Sequence, residues 1–162
     1  MDILTIIGAR PQFIKAAPLS KLINESFSDE ISETLIHTGQ HFDKEMSEIF
    51  FEELQLPKPF MNLNISSLTH GAMTGRMIEE LESVISQRQP DKVLVYGDTN
   101  STLAGAIAAS KLNIPIIHIE AGLRSYNMSM PEEINRTLTD RLSSILFCPS
   151  SSSVDNFVKE NI

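Results

Sequence analysis

Five charged residues of this sequence stand where chain geometry would give a charge work to do: Arg10, Lys15, Asp98, Glu120 and Glu132. Glu120 ends the isoleucine-rich run from Ile114 to Ile119, and a carboxylate at the end of a buried strand is costly unless it is paired or used. Arg10 sits at the mouth of a helix that Pro11 opens, with Lys15 about a turn and a half further on. Together with the partial positive charge of a helix N-terminus they would form an anion site. Lys15 taken alone reads equally well as a solvated helix charge. Asp98 immediately precedes a helical pattern, so an N-cap competes with a catalytic role. Ser129-Met130-Pro131-Glu132 fits a capping box, which would give Glu132 a local task. Yet Glu132, Asn135 and Arg136 fall at i, i+3 and i+4 and place acid, amide and guanidinium on one helical face. The bland counterpart of that face is a surface salt bridge, which is worth little.

The elements that must position these residues are legible as an alternation. Short apolar, β-branched runs occur at Ile3 to Ile7, Thr34 to His37, Lys92 to Tyr96, Ile114 to Ile119 and Ser144 to Cys148. Each run is continuous, as in strands buried on both faces of a parallel sheet. Helical patterns separate them at about Pro11 to Phe27, Asp43 to Leu54, His70 to Gln89, Thr99 to Leu112, Pro131 to Leu142 and Ser150 to Lys159. Met77, Ile78, Leu81, Val84 and Ile85 form the apolar stripe of an amphipathic helix. Leu56-Pro57-Lys58-Pro59-Phe60 breaks the rhythm and leads into a short strand at Phe60 to Leu63. Strand and helix in repetition predict a single α/β domain over residues 1–162, Rossmann-like, three-layered, with a mostly parallel sheet. In such a sheet ligands bind beyond the carboxyl ends of the strands. Four of those ends carry Gly8 to Lys15, Thr38-Gly39-Gln40-His41, Gly97 to Thr102 and His118 to Arg124. Glycines, cations, carboxylates and hydroxyls are therefore expected along one edge.

Composition narrows the classes. Hydrophobic residues at 41% and charged residues at 21% are ordinary for a globular domain, and a chain of 162 residues buries roughly 70% of its unfolded surface, enough for its own core. With 13 Lys and Arg against 21 Asp and Glu the formal charge is −8, which argues against nucleic acid and anionic membranes as partners. A phosphate-bearing ligand would need a local cationic cluster. The one cysteine, Cys148, has no internal partner and reads as a small buried hydrophobe. Of the four histidines, His37 and His41 are four apart, but Gly39 and the end of a strand separate them, so they do not make a helical metal pair, and no metal is expected. The N-terminus shows no basic leader, cleavage site or run near the roughly 20 apolar residues of a membrane span, so a cytoplasmic protein is expected. The glycine loop at Gly8 matches neither a phosphate loop nor the dinucleotide fingerprint.

In order along the chain, Gly8-Ala9-Arg10-Pro11-Gln12-Phe13-Ile14-Lys15, Thr38-Gly39-Gln40-His41, Val95 to Thr102 with its Gly97-Asp98-Thr99 centre, His118 to Arg124, and Pro131 to Arg136 resemble the UDP-N-acetylglucosamine 2-epimerase family. The resemblance spans nearly the whole chain and implies the N-terminal half of a two-domain, glycosyltransferase-B-like architecture. It implies an isomerase that interconverts UDP-N-acetylglucosamine and UDP-N-acetylmannosamine by elimination of UDP and its re-addition, with no cofactor, serving surface-polysaccharide synthesis. Removing a proton at C2 needs a base, returning one needs an acid, and departing UDP needs cationic stabilisation. The resemblance assigns Asp98, Glu120, Glu132 and Lys15 to catalysis, and Arg10, Gln40, His41, Asn135 and Arg136 to substrate binding, with Asn135 and Arg136 supporting Glu132. It does not say which carboxylate takes the C2 proton. The family's second domain, which supplies a histidine and most uridine contacts, falls beyond Ile162, so the isolated half is expected to be inactive. A homodimer is implied for the full-length family. A hydrolysing epimerase that releases N-acetylmannosamine, or a non-catalytic nucleotide-sugar-binding module, are the alternatives.

Overall fold

In a computed structural model of the protein, which describes residues 1–40 and 51–162, six parallel strands form one sheet in the order β3-β2-β1-β4-β5-β6. The strands are β1 (Asp2–Ile7), β2 (Ser32–His37), β3 (Met61–Asn62), β4 (Lys92–Tyr96), β5 (Ile116–Ile119) and β6 (Ile145–Phe147). The described helices are α1 (Arg10–Ser26), α2 (His70–Arg88), α3 (Asn100–Lys111), α4 (Pro131–Leu142) and α5 (Ser151–Glu160). Strand order reverses beside β1, whose neighbours are β2 on one side and β4 on the other, so the ends of β1 and β4 flank the crevice where such sheets bind ligands.

The two-residue period of the strands sorts the core into two layers. Leu4, Ile6, Ile36, Val93 and Val95 pack against Met77, Leu81 and Ile85 of α2 and the alanines of α3. Ile3, Ile7, Leu35, Leu94 and Tyr96 pack against Phe13, Ala16 and Ala17 of α1 on the other face. Central strands are thus largely apolar on both sides, as their hydrophobic runs require, with Thr5 the buried polar exception in β1.

The structure departs from expectation at the rims. β6 is shorter than its apolar run and leaves Ile145 and Phe147 exposed, because an edge strand has one neighbour and incomplete cover. β2 begins at Ser32, two residues earlier than its apolar pattern, since Ser32 pairs with Asp2. The expected short strand at Phe60 to Leu63 contracts to Met61–Asn62. The expected helix from Asp43 to Leu54 lies mostly outside the described residues, as does His41. No helix among the described residues is long and apolar enough to cross a membrane.

The caps also differ. Thr99, not Asp98, is the N-cap of α3, its hydroxyl accepting from the Thr102 amide at 3.3 Å, which leaves the Asp98 carboxylate for other work. The helix α4 begins at Pro131 behind Met130, without a side-chain cap, so Ser129 and Glu132 form no capping box. Ser129 turns instead to the Asn127 side chain at 2.7 Å.

Candidate active site

At the end of β1, a Cβ on Gly8 would lie 2.0 Å from Thr38 Oγ1 and 2.3 Å from Ser101 Oγ, so only glycine lets the loops after β1 and β2 and the start of α3 meet there. Thr38 and Ser101 hydroxyls are 2.8 Å apart, and Gln40 Oε1 accepts from the Ser101 hydroxyl at 2.7 Å and its amide at 3.0 Å. Gln40 therefore closes the wall of the site on the β2 side.

Gln12, in the first turn of α1, is buried and fully used. Its Oε1 accepts from the Gly8 and Ala9 amides at 2.7 and 3.0 Å. Its Nε2 donates to the Tyr96 carbonyl at 2.9 Å and lies 3.0 and 3.1 Å from the Thr102 and Thr99 hydroxyls. One amide thus ties the loop after β1 to the loop after β4, a role that its place in the Gly8 to Lys15 motif does not reveal.

Arg10 and Lys15 project from the exposed side of α1. Lys15 Nζ is paired with Glu120 Oε2 across 105 residues of sequence, and both side chains keep access to solvent. Gly97 lies beside this pair with φ +63°, a conformation that favours glycine, and a Cβ there would come within 3.1 Å of Glu120 Oε2 and 3.8 Å of Lys15 Nζ. Glu120 itself holds the left-handed conformation, φ +73°, just past the end of β5. A non-glycine residue in that region stores strain, and such strain clusters at functional positions.

Asp98 follows Gly97 and receives Arg136 Nη2 from α4 at 2.5 Å. Burial pushes the Asp98 carboxyl up, Arg136 pulls it down, and Glu120 and Glu132 push it up again, leaving it above the usual carboxylate range. That balance places Glu120 and Glu132 each within electrostatic reach of Asp98, with Lys15 on Glu120 and Arg136 on Asp98. A raised carboxyl beside an ionised one is the arrangement that lets carboxylates share acid and base roles near neutral pH.

Asn135 and Arg136 are brought to Asp98, not to Glu132. Asn135 Nδ2 donates to the Asp98 carbonyl at 2.9 Å and to Asn100 Oδ1 at 3.2 Å, and Asn100 Nδ2 reaches His70 Nδ1 at 3.1 Å. Glu132 is exposed on the same helix. Its neighbour Glu133 points inward, accepting from the Ser125 and Tyr126 amides at 2.9 and 2.8 Å and from the Ser125 hydroxyl at 2.9 Å. Burial would raise the Glu133 carboxyl, but these donors together with Arg136 hold it below its ordinary range.

His118 is fully buried one layer below the carboxylates, with Nδ1 2.7 Å from Asp140 Oδ1 and Nε2 2.7 Å from the Gly97 carbonyl. His37 is a core residue, stacked near Phe13 and Phe51 at 5.2 and 6.0 Å and bonded to Asn62; burial lowers its pKa more than that bond raises it. No group of three or more His, Cys, Asp or Glu among the described residues is placed to hold a metal ion.

A doubly wound parallel sheet with carboxylates and cations converging on its carboxyl edge defines a Rossmann-like α/β domain. Residues 25–162 match the family model for UDP-N-acetylglucosamine 2-epimerase, and the chain belongs to that family. It is 65% identical over 160 residues to a UDP-2,3-diacetamido-2,3-dideoxy-D-glucuronate 2-epimerase of Pseudomonas aeruginosa, covering 99% of this chain and 45% of that protein. It is 57% identical to a UDP-N-acetylglucosamine 2-epimerase homolog of Methanococcus maripaludis, covering 100% of this chain and 44% of that protein. Among solved structures, the Methanocaldococcus jannaschii UDP-GlcNAc 2-epimerase in complex with UDP-GlcNAc and UDP superposes with a TM-score of 0.95 at 49% identity, covering all of this chain and 44% of that one. The Neisseria meningitidis enzyme bound to UDP-GlcNAc gives 0.92 at 37%, with 100% and 43% covered. The chain thus spans less than half the length of these relatives.

Proposed function

We propose that these residues form the N-terminal half of a cytoplasmic, homodimeric, non-hydrolysing UDP-N-acetylglucosamine 2-epimerase that is inactive until the family's second domain completes the cleft. The observation that carries this reading is the meeting of Lys15 with Glu120 next to Gly97, beside an Asp98 whose carboxyl is raised. The C2 proton of the sugar goes to one carboxylate of the Asp98, Glu120 and Glu132 set as the C1–O bond to UDP breaks, giving a 2-acetamidoglucal. Re-addition of UDP at C1 with protonation at C2 from the opposite face yields the manno epimer. Arg10 and Lys15 stabilise the departing diphosphate, whose charge the protein's net −8 would otherwise oppose.

The relative at 65% identity favours a second substrate, a UDP-sugar with acetamido groups at C2 and C3 and a carboxylate at C6, on which the same C2 chemistry runs. Proton NMR in heavy water decides between them. This chain joined to the second domain of a family member is expected to put deuterium at C2 and form the manno product from one of the two sugars. Glu120→Gln is expected to abolish turnover and keep binding. A joined protein that folds and leaves both sugars unchanged sinks the reading. Free N-acetylmannosamine among the products would identify the hydrolysing variant.

A further inference from the structure

The buried network under the carboxylates has no part in the scheme above. His118 presents both ring nitrogens to acceptors: the Gly97 carbonyl, which can only accept, and Asp140 Oδ1. The other oxygen of Asp140 accepts from Arg124 Nη1 at 2.6 Å and the Gly122 amide at 3.3 Å, so Oδ2 is taken up by donors and Oδ1 is the oxygen left to face His118. Arg124 is in turn held by Glu160 of α5 through Nε and Nη2 at 2.7 and 2.9 Å. Burial works against the Arg124 charge, and the bonds to Glu160 and Asp140 more than offset it. Cys148, at the end of β6, also feels this group: burial first and the Asp140 charge second push its thiol up. Around His118, then, stand Asp140 and, behind it, Arg124 and Glu160, with the Cys148 thiol to one side.

The network ends on the backbone that carries the site. The Gly97 amide donates to the Ile119 carbonyl at 2.9 Å while the Gly97 carbonyl receives His118. The Glu120 and Ala121 amides donate to the Phe147 carbonyl at 3.1 and 3.0 Å. Asp98 follows Gly97 and Glu120 stands two residues after His118, so one imidazole spans the two loops that hold these carboxylates.

We propose that His118 is a positioning residue that donates from both ring nitrogens, to Gly97 and to Asp140, and so fixes the spacing between Asp98 and Glu120. Its effect on turnover rests on the epimerase reading; its hydrogen-bonding state and its hold on the loops do not. In the 15N-labelled chain, two protected ring N–H signals are expected for His118, assigned through its ring carbons so that no variant is required. A single ring N–H would overturn the proposal.

Two variants test the hold on the loops. In His118→Gln the side-chain amide nitrogen reaches the place of Nε2, and in His118→Asn that of Nδ1. Amide exchange at Gly97 and Glu120 is expected to speed up at least about tenfold in His118→Asn and less in His118→Gln, which retains the donor to Gly97. Equal exchange in both variants and the unmodified chain overturns the positioning role. In the two-domain protein, His118→Asn is expected to lower kcat on the order of 10²-fold, the scale of a 1 Å misplacement, with KM unchanged and partial rescue in His118→Gln. Loss confined to KM, or equal loss in both variants with exchange unaltered, would contradict it. If the two-domain protein never epimerises, the epimerase reading fails while the ring signals and the exchange data still decide the role of His118.

Discussion

Replacing Gln12 by leucine isolates the contribution of one amide to the assembly of the site. The change keeps approximate volume and leaves the Gly8 and Ala9 amides, both buried, without their acceptor. The Tyr96 carbonyl keeps the Thr102 hydroxyl at 2.6 Å, so the damage is confined to the donors. Two buried N–H groups left unmade cost roughly 2–6 kcal/mol, at about 1–3 kcal/mol each. A buried leucine returns about 1.5–3 kcal/mol of transfer energy, for a net loss of about 2 kcal/mol. With a urea dependence of about 2 kcal/mol per molar, the unfolding midpoint should fall by about 1 M at unchanged slope. Gln12→Glu sharpens the test. The introduced carboxyl can accept from both amides, but its second oxygen faces the Tyr96 carbonyl unless it carries a proton. Its pKa is thereby raised in the folded state above the unfolded value of about 4.3, so the folded state binds more protons and stability falls as pH rises through and above that value. Relative to the unmodified protein, Gln12→Glu should be near parity in acid and weaker at neutral pH. A Gln12→Leu midpoint within about 0.2 M of the original, with the slope unchanged, would refute the account of these bonds.

Gly8→Ala should lower the melting temperature by about 2–12 °C, from an overpacking cost of about 1–3 kcal/mol at Thr38 and Ser101; an unchanged value would mean that the two hydroxyls swing aside freely. Asp98 and Glu133 should leave opposite marks on stability against pH, read as urea midpoints. Asp98, raised when folded, favours folding in acid and loses that contribution as pH climbs above the unfolded value near 3.9, so Asp98→Asn should remove a declining slope there. Glu133, lowered when folded, contributes above the unfolded value near 4.3 and loses it as pH falls through the folded one, so Glu133→Gln should flatten the acid limb. Identical slopes with and without either carboxyl would contradict the environments described for them.

Much of the frame is readable from the residues because a strand buried on both faces is largely apolar, and the runs at Ile3, Lys92 and Ile114 are, with Thr5 and His118 as buried exceptions. The rule that ligands sit beyond the carboxyl ends then leads to Lys15, Asp98 and Glu120 without any side-chain contact in view. The partners of α4 are not legible. Glu132 and Glu133 are adjacent and about 100° apart around the helix, so spacing alone does not say which turns inward, and Arg136 reaches Asp98 only because α4 lies against α3. Gln12 and Asp140 escape a reading of the sequence for one reason: the partners of the Gln12 side-chain nitrogen and of both Asp140 oxygens lie many residues away. A signal exists for Gln12, a polar residue on the face of α1 that also buries Phe13, Ala16 and Ala17. Exposure at β6 cannot be foreseen, since a short apolar run looks the same at an edge as at the centre.

The bonds from Gln12 to the loop after β4 close spans of 84 to 90 residues, and the neighbouring strands β1 and β4 are as far apart along the chain. Closing a segment of that length carries an entropic cost that grows with its logarithm, and it must be met before the contacts inside it contribute. During synthesis, the first loop of the site must therefore wait until the chain has grown past Thr102 before the amide that holds it is itself anchored. A nascent chain that has made β1, α1 and β2 has no crevice, however well those pieces fold. The site and the middle of the sheet come into being in the same event.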